Sequence, residues 1–123
     1  MKQKTDLATV RLVLAFVAIV FVTGTTEAED VYVKYRGSVP LDTFDCEDIS
    51  RSSFVERVCY DAQKRYMIVR LHGAYYHFCE IDSDMVNSFL AAPSVGKYFN
   101  SRIRGGGADG PFDCRTHTVP QYH

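Results

Sequence analysis

The chain predicts an α+β fold, in which a small antiparallel β-meander is packed by two C-terminal helices and stapled by disulfides. Three observations carry this. Apolar residues alternate between Val58 and Phe78, a helical stripe follows at Val86, Phe89 and Leu90, and four cysteines stand behind an export-type leader. Period-two alternation means strands with one buried face, whereas spacing at i, i+3, i+4 means a helix with an apolar side.

Taken in order, Met1–Ala28 reads as a signal peptide. Lys2, Lys4 and Arg11 make a basic start, Leu12–Val22 is an uninterrupted apolar run, and Thr26-Glu27-Ala28 offers small residues for cleavage. The run holds eleven residues, against the roughly 20 needed to span a bilayer. Contact with the membrane is therefore expected only during export. With no cysteine near the cleavage point, a lipoprotein is disfavoured. The expected location is periplasmic or secreted.

Residues 29–53 read as an N-terminal strand and connector. Val31, Val33 and Tyr35 alternate with Tyr32, Lys34 and Arg36, so Glu29–Arg36 is expected as a strand at a sheet edge. Gly37–Asp48 contains Pro40 and reads as a connector, with Leu41 and Phe44 docking on the sheet and carrying Cys46 along.

Residues 54–104 hold the regular structure. Val58 and Tyr60 share one face, as do Met67, Val69 and Leu71, and Tyr76 and Phe78. Asp61–Arg65 and His72–Ala74 suit hairpin turns. Asp82 or Ser83 is placed to cap the first helix, and Ser94 to cap a second whose Tyr98, Phe99 and Ile103 face the core. Pro93 keeps the two apart, because it disfavours helical geometry in the residue before it. Residues 105–123 are a Gly-rich joint, Gly105–Pro111, and a tail, Phe112–His123. Cys114 implies that the tail is pinned back on the domain.

At Tyr60-Asp61, Gly73, Tyr76-His77-Phe78, Ala92-Pro93-Ser94-Val95-Gly96-Lys97-Tyr98-Phe99-Asn100 and Ile103-Arg104, the chain resembles the KTSC domain, a small module named for its occurrence at the C-terminus of some lysyl-tRNA synthetases. The family's central Tyr-x-Tyr is Tyr76-His77-Phe78 here, so the second hydroxyl is missing. The resemblance implies a fold; for function, the family carries only a suggestion of RNA binding.

Charge bears on that suggestion. Removing the leader lowers the basic groups from 14 to 11 and the acidic groups from 15 to 13, leaving a mature domain near −2. Nucleic-acid binders usually show a basic surplus or stripe, because phosphate contacts supply most of the affinity. Nucleic acid is therefore disfavoured as a partner. The cysteine spacings of 13, 20 and 35 residues lack both the close ligand pairs of a zinc site and a redox C-x-x-C. No metal or cofactor is expected.

Several groups bear on chemistry. Cys79 and His77 lie two apart on one strand and so point the same way, but a cysteine of an exported domain is usually bridged and offers no thiolate. Asp82 and Asp84 fit a cap and helix-dipole role better than an acid–base pair. The Gly105-Gly106-Gly107 run follows a helix, whereas phosphate loops follow a strand. Ser94, Gly96, Lys97, Tyr98 and Asn100, with Arg104 further on, form the most suggestive polar group. Capping and close packing account for them, and a Ser-capped helix start beside a lysine is also suited to an anion. Tyr75, Tyr76 and His77 are the remaining binding candidates. An aromatic strip with Tyr66 and Tyr75 would serve a peptide, glycan or base if the connector and tail left it open.

The resulting expectation is an exported, non-catalytic binding module, with an envelope protein, peptide or anionic ligand as its unidentified partner. RNA binding is the alternative. For the disulfides, Cys59 and Cys79 end the first and third meander strands on one face. With a strand between them, their Cα atoms are expected roughly 9–10 Å apart, since neighbouring strands lie about 4.8 Å apart. A bridge reaches about 7 Å. Cys46 and Cys114 are therefore expected each to bond a strand cysteine, sending connector and tail across the open face of the sheet.

Overall fold

A computed structural model describes residues 18–19, 29–104 and 110–122. The expected signal peptide, apart from residues 18–19, lies outside the described residues, as do residues 105–109 of the joint and His123. Six strands form one sheet: β1 (Asp30–Val33), β2 (Gly37–Pro40), β3 (Asp45–Asp48), β4 (Val55–Asp61), β5 (Tyr66–Leu71) and β6 (Ala74–Phe78). Two helices follow, α1 (Ser83–Ala91) and α2 (Val95–Tyr98), and a π-helical turn, Phe99–Ile103, continues α2.

The meander forms as the alternation requires. β4 pairs antiparallel with β5, and β5 with β6. The β5–β6 turn consists of His72 and Gly73, with φ of 47° and 84°. Two consecutive left-handed residues are what a tight hairpin of this twist demands. A bulge between Val55 and Arg57 shifts the register of β4. It turns Val55 to the same face as Val58 and Tyr60, so all three join the helix-side core although their parities differ.

Three features of the N-terminal region depart from the sequence reading. The 37–48 stretch is not only a connector, because it contributes β2 and β3. β1 is an interior strand, and it ends at Val33 rather than running to Arg36, so Tyr35 sits in the following turn. The strand order is β2-β1-β6-β5-β4-β3, and β1 joins β6 in parallel through Val33 and Tyr75, so the sheet is mixed. Asp45-Cys46-Glu47-Asp48 has an acidic, fully exposed pattern that carries little strand signal. Such charge suits an edge strand, because it discourages pairing with another chain.

Residues 41–44 join the two opposite edges. Fully extended, the step from Pro40 to Asp45 covers about 17 Å. Six flat strands would be about 24 Å wide, so the sheet must curl around this link. The ion pair from Glu29, beside β1, to Arg57 on β4 at 3.0 Å reports that curl.

The sheet buries two separate cores. On one face, Val58, Met67, Val69 and Ile81 pack against Val86 and Phe89 of α1 and against Val95, Phe99 and Ile103. On the other, Val33, Val39, Cys59, Tyr66 and Ile68 are covered by Leu41 and Phe44 of the link and by Val119 and Tyr122 of the tail. The bridges are Cys46–Cys59 and Cys79–Cys114. The disfavoured Cys59–Cys79 pairing is absent, as the strand-order argument requires. Cys46–Cys59 joins directly opposed residues of β3 and β4, so it staples an edge strand, while the crossing of the face is made by residues 41–44.

Candidate functional site

Four of the singled-out residues come together. Ser94, Gly96, Lys97 and Asn100 line a cleft of about 310 Å³ with Arg51, Ser52, Ser53 and Phe54. Each wall has a local cause. Pro93 leaves Ala92 extended, with φ −65° and ψ 139°, which separates α1 from α2. Ser94 then caps α2, its Oγ accepting from the Lys97 amide at 3.3 Å. The opposite wall turns on Ser52, whose Oγ accepts from the amides of Phe54 and Val55 at 3.4 and 3.1 Å. Gly96 lets the walls meet. A Cβ there would lie 2.7 Å from the Phe54 ring. The close approach expected of Gly96 is therefore real, but it is made to a side chain of the loop before β4 rather than to the sheet.

The cleft carries two cationic side chains, Arg51 and Lys97, and among the described residues no carboxylate lines it. Arg51 is held by a hydrogen bond from Nη2 to the Leu90 carbonyl, while Lys97 makes no ion pair among the described residues. Arg51 to Phe54 were missed in the sequence, where they read only as the approach to the first hairpin. The one local signal was Ser52, a residue type that bonds backbone amides two or three positions on.

The other candidates lie elsewhere. Tyr98 stacks on Phe89, with ring centroids 5.9 Å apart, and its hydroxyl reaches Met85 Sδ at 3.2 Å. Arg104 lies over the Phe99 ring at 5.4 Å. Tyr76 is half-buried on the helix face of the sheet, with Lys34 5.8 Å from its ring. Tyr75 and His77 point to the opposite face. The Tyr75 hydroxyl accepts from Arg57 Nη1 at 3.3 Å, and His77 Nδ1 lies 2.8 Å from the Tyr66 hydroxyl. Burial, and secondarily Arg36, holds the His77 imidazole below its ordinary pKa. Cys79, committed to a disulfide, offers no thiolate for His77 to activate. Tyr66 is fully buried, so no open aromatic strip includes it.

The carboxylates differ too. Asp82 stands at the cap position of α1, but its side chain makes no capping bond. It pairs instead with Arg65 at 2.8 Å, because the β4–β5 turn brings that guanidinium alongside. Asp61 accepts from the Lys64 amide at 3.2 Å, the local turn bond its position implied. It is also 3% exposed and is the one buried charged residue among those described.

Beyond this chain, no curated protein matches. Residues 51–106 match the KTSC domain, a segment that contains β4 to β6, both helices and every residue lining the cleft. That segment of the chain belongs to the KTSC domain family.

Proposed function

We propose that this chain is an exported, non-catalytic binding module, acting in the periplasm or outside the cell, whose KTSC segment takes an anionic group of an envelope partner in the cleft. One observation carries the reading. Arg51, Lys97, Ser52, Ser53, Ser94 and Asn100 surround one opening that no carboxylate of the described residues lines. Two cations and several hydroxyl and amide donors are the chemistry that receives a carboxylate or phosphate. Export is supported by the leader and by the two disulfides, which are consistent with an oxidising extracellular compartment.

The test is affinity capture from envelope extracts with the mature chain as bait, in parallel with a variant carrying Arg51→Glu and Lys97→Glu. A partner retained by the natural chain and lost by the charge-reversed one is the expected result. Identical partners for both baits would overturn the cleft assignment. Intact mass should place the first residue of the exported protein at or near Glu29, and recovery of the full-length chain in the membrane fraction would overturn export. RNA binding draws on the same anion chemistry but conflicts with the near −2 charge of the mature domain. A salt-sensitive RNA complex at about 150 mM salt would replace the proposed partner class.

A further inference from the structure

The face of the sheet opposite the helices holds a second arrangement, outside the cleft. The C-terminal tail returns to it from the joint, where Gly110 packs so tightly that a Cβ would lie 2.5 Å from the Arg104 carbonyl oxygen. After Cys114 the tail is irregular, and none of its residues from 110 to 122 is fully buried. Beneath it, Tyr66 is fully buried and Phe44 and Asp61 are buried. The tail packs on this face through half-buried side chains, Val119 and Tyr122, laid over Phe44 and Tyr66 as a bound peptide would be.

Its contacts also have the character of peptide recognition. The Tyr122 hydroxyl donates to Asp61 Oδ2 at 2.8 Å. Its ring packs against Phe44 and Tyr66, with centroids 5.3 and 6.0 Å away. Lys64 Nζ and the Arg36 guanidinium lie over that ring at 4.3 and 5.4 Å. The same two cations take main-chain oxygens: Arg36 Nη2 donates to the Pro120 carbonyl at 2.5 Å, and Lys64 Nζ to that of Gln121 at 2.8 Å. A carboxylate floor reads the phenol, cations cover the ring, and carbonyl capture fixes an extended backbone without regard to the neighbouring side chains. Arg36 Nη1 is buried without a hydrogen-bond partner among the described residues, a donor to spare at the same place.

Asp61 also has partners within the domain, the Thr43 hydroxyl at 3.0 Å and the Lys64 amide at 3.2 Å, which a lifted tail would leave in place. The opened side admits water, so the carboxylate is not stranded. The Cys79–Cys114 bridge holds the tail upstream of the site, so that Val119–Tyr122 can lift while the domain stays stapled.

We propose that this groove is a recognition site for an extended peptide presenting a tyrosine, and that Val119–Tyr122 is its resident ligand, supplied in cis. Tethering gives the resident segment an effective concentration in the millimolar range. A partner peptide must therefore compete with it, and the site is open in proportion to how often the tail lifts.

The test uses the mature full-length chain with Tyr122→Ala, and as probe a synthetic peptide of residues 115–123. Titration calorimetry should show one peptide bound per chain. The natural chain should bind it at least about tenfold more weakly, because its own tail competes. Replacing tyrosine by phenylalanine in the peptide should weaken binding to the variant at least about tenfold, since the hydrogen bond to the Asp61 carboxylate is lost. A second variant truncated after Thr118 should bind the peptide at least as well as Tyr122→Ala. Failure of either folded variant to bind, or equal binding of the tyrosine and phenylalanine peptides, would overturn the proposal. Should the truncated chain not fold, the Tyr122→Ala titration decides alone.

Discussion

The two faces of one sheet are covered by different means. On the helix face, α1, α2 and the π-helical turn supply their own backbone hydrogen bonds and deliver Val86, Phe89, Val95, Phe99 and Ile103 to the sheet. On the other face the cover is irregular: the 41–44 link and the tail. A helix satisfies its main chain internally and can present a wholly apolar side, but an irregular segment cannot. Its main-chain groups need partners from the domain, which is why Arg36 and Lys64 spend their donors on tail carbonyls and why the tail needs a covalent anchor at Cys114. The helix face is thus held by packing, and the opposite face by staples and polar contacts laid over aromatic rings.

This contrast can be broken from either side. The largest effect is expected on the helix face. Phe99, fully buried among Phe54, Phe78 and Phe89, should cost about 3–5 kcal/mol as Phe99→Ala, read by urea denaturation. Next come the staples. Removing Cys79–Cys114, with a sequence separation of 35, should cost about 4 kcal/mol on chain-entropy grounds, against about 3 kcal/mol for Cys46–Cys59 with a separation of 13. Paired serine variants under the same denaturation protocol give the order, and a larger loss from the shorter loop would show that the edge strand matters more than the tail anchor.

A smaller effect is expected at Tyr122. Tyr122→Phe deletes one hydrogen bond to Asp61 and should cost about 1–2 kcal/mol in the same assay. The smallest concerns pH. Because burial depresses the His77 pKa, the unfolded chain takes up this proton first as pH falls below the ordinary histidine value near 6.5. Stability should therefore decline from that point until the folded value is reached, and then level off. His77→Gln should show a shallower loss of Tm between pH 7.5 and 5.5. An unchanged slope would remove His77 as the cause.

These regions also differ in how legible they were. The meander, its turns and both helices announce themselves in Val58 to Ile103 because each signal is local: alternation, a stripe, a Ser cap, a Pro break. Half of the cleft was legible for the same reason, through Ser94, Gly96, Lys97 and Asn100. Arg51 and Phe54 were not, since what makes them cleft residues is a meeting across more than forty positions of chain. Asp82 looked like a cap and is an ion-pair partner, because Arg65 reaches it from a turn 17 residues earlier.

By itself, the sequence determined the periodicities, and hence the antiparallel core of the sheet, the side on which the helices pack and the exclusion of a Cys59–Cys79 bridge, which needs only strand order and strand spacing. The tertiary structure alone decided the outer strands. Nothing local in Gly37–Pro40 or Asp45–Asp48 demands a strand, and both become strands because a curled sheet offers them unpaired edges. It also decided the chemistry of Asp61. In the sequence Asp61 is a turn residue beside Tyr60; in the fold it is a buried carboxylate shared by Thr43, Lys64 and Tyr122. The Lys64 bond is local to the turn, but Thr43 and Tyr122 come from distant parts of the chain, and only the closed structure brings them within hydrogen-bonding distance.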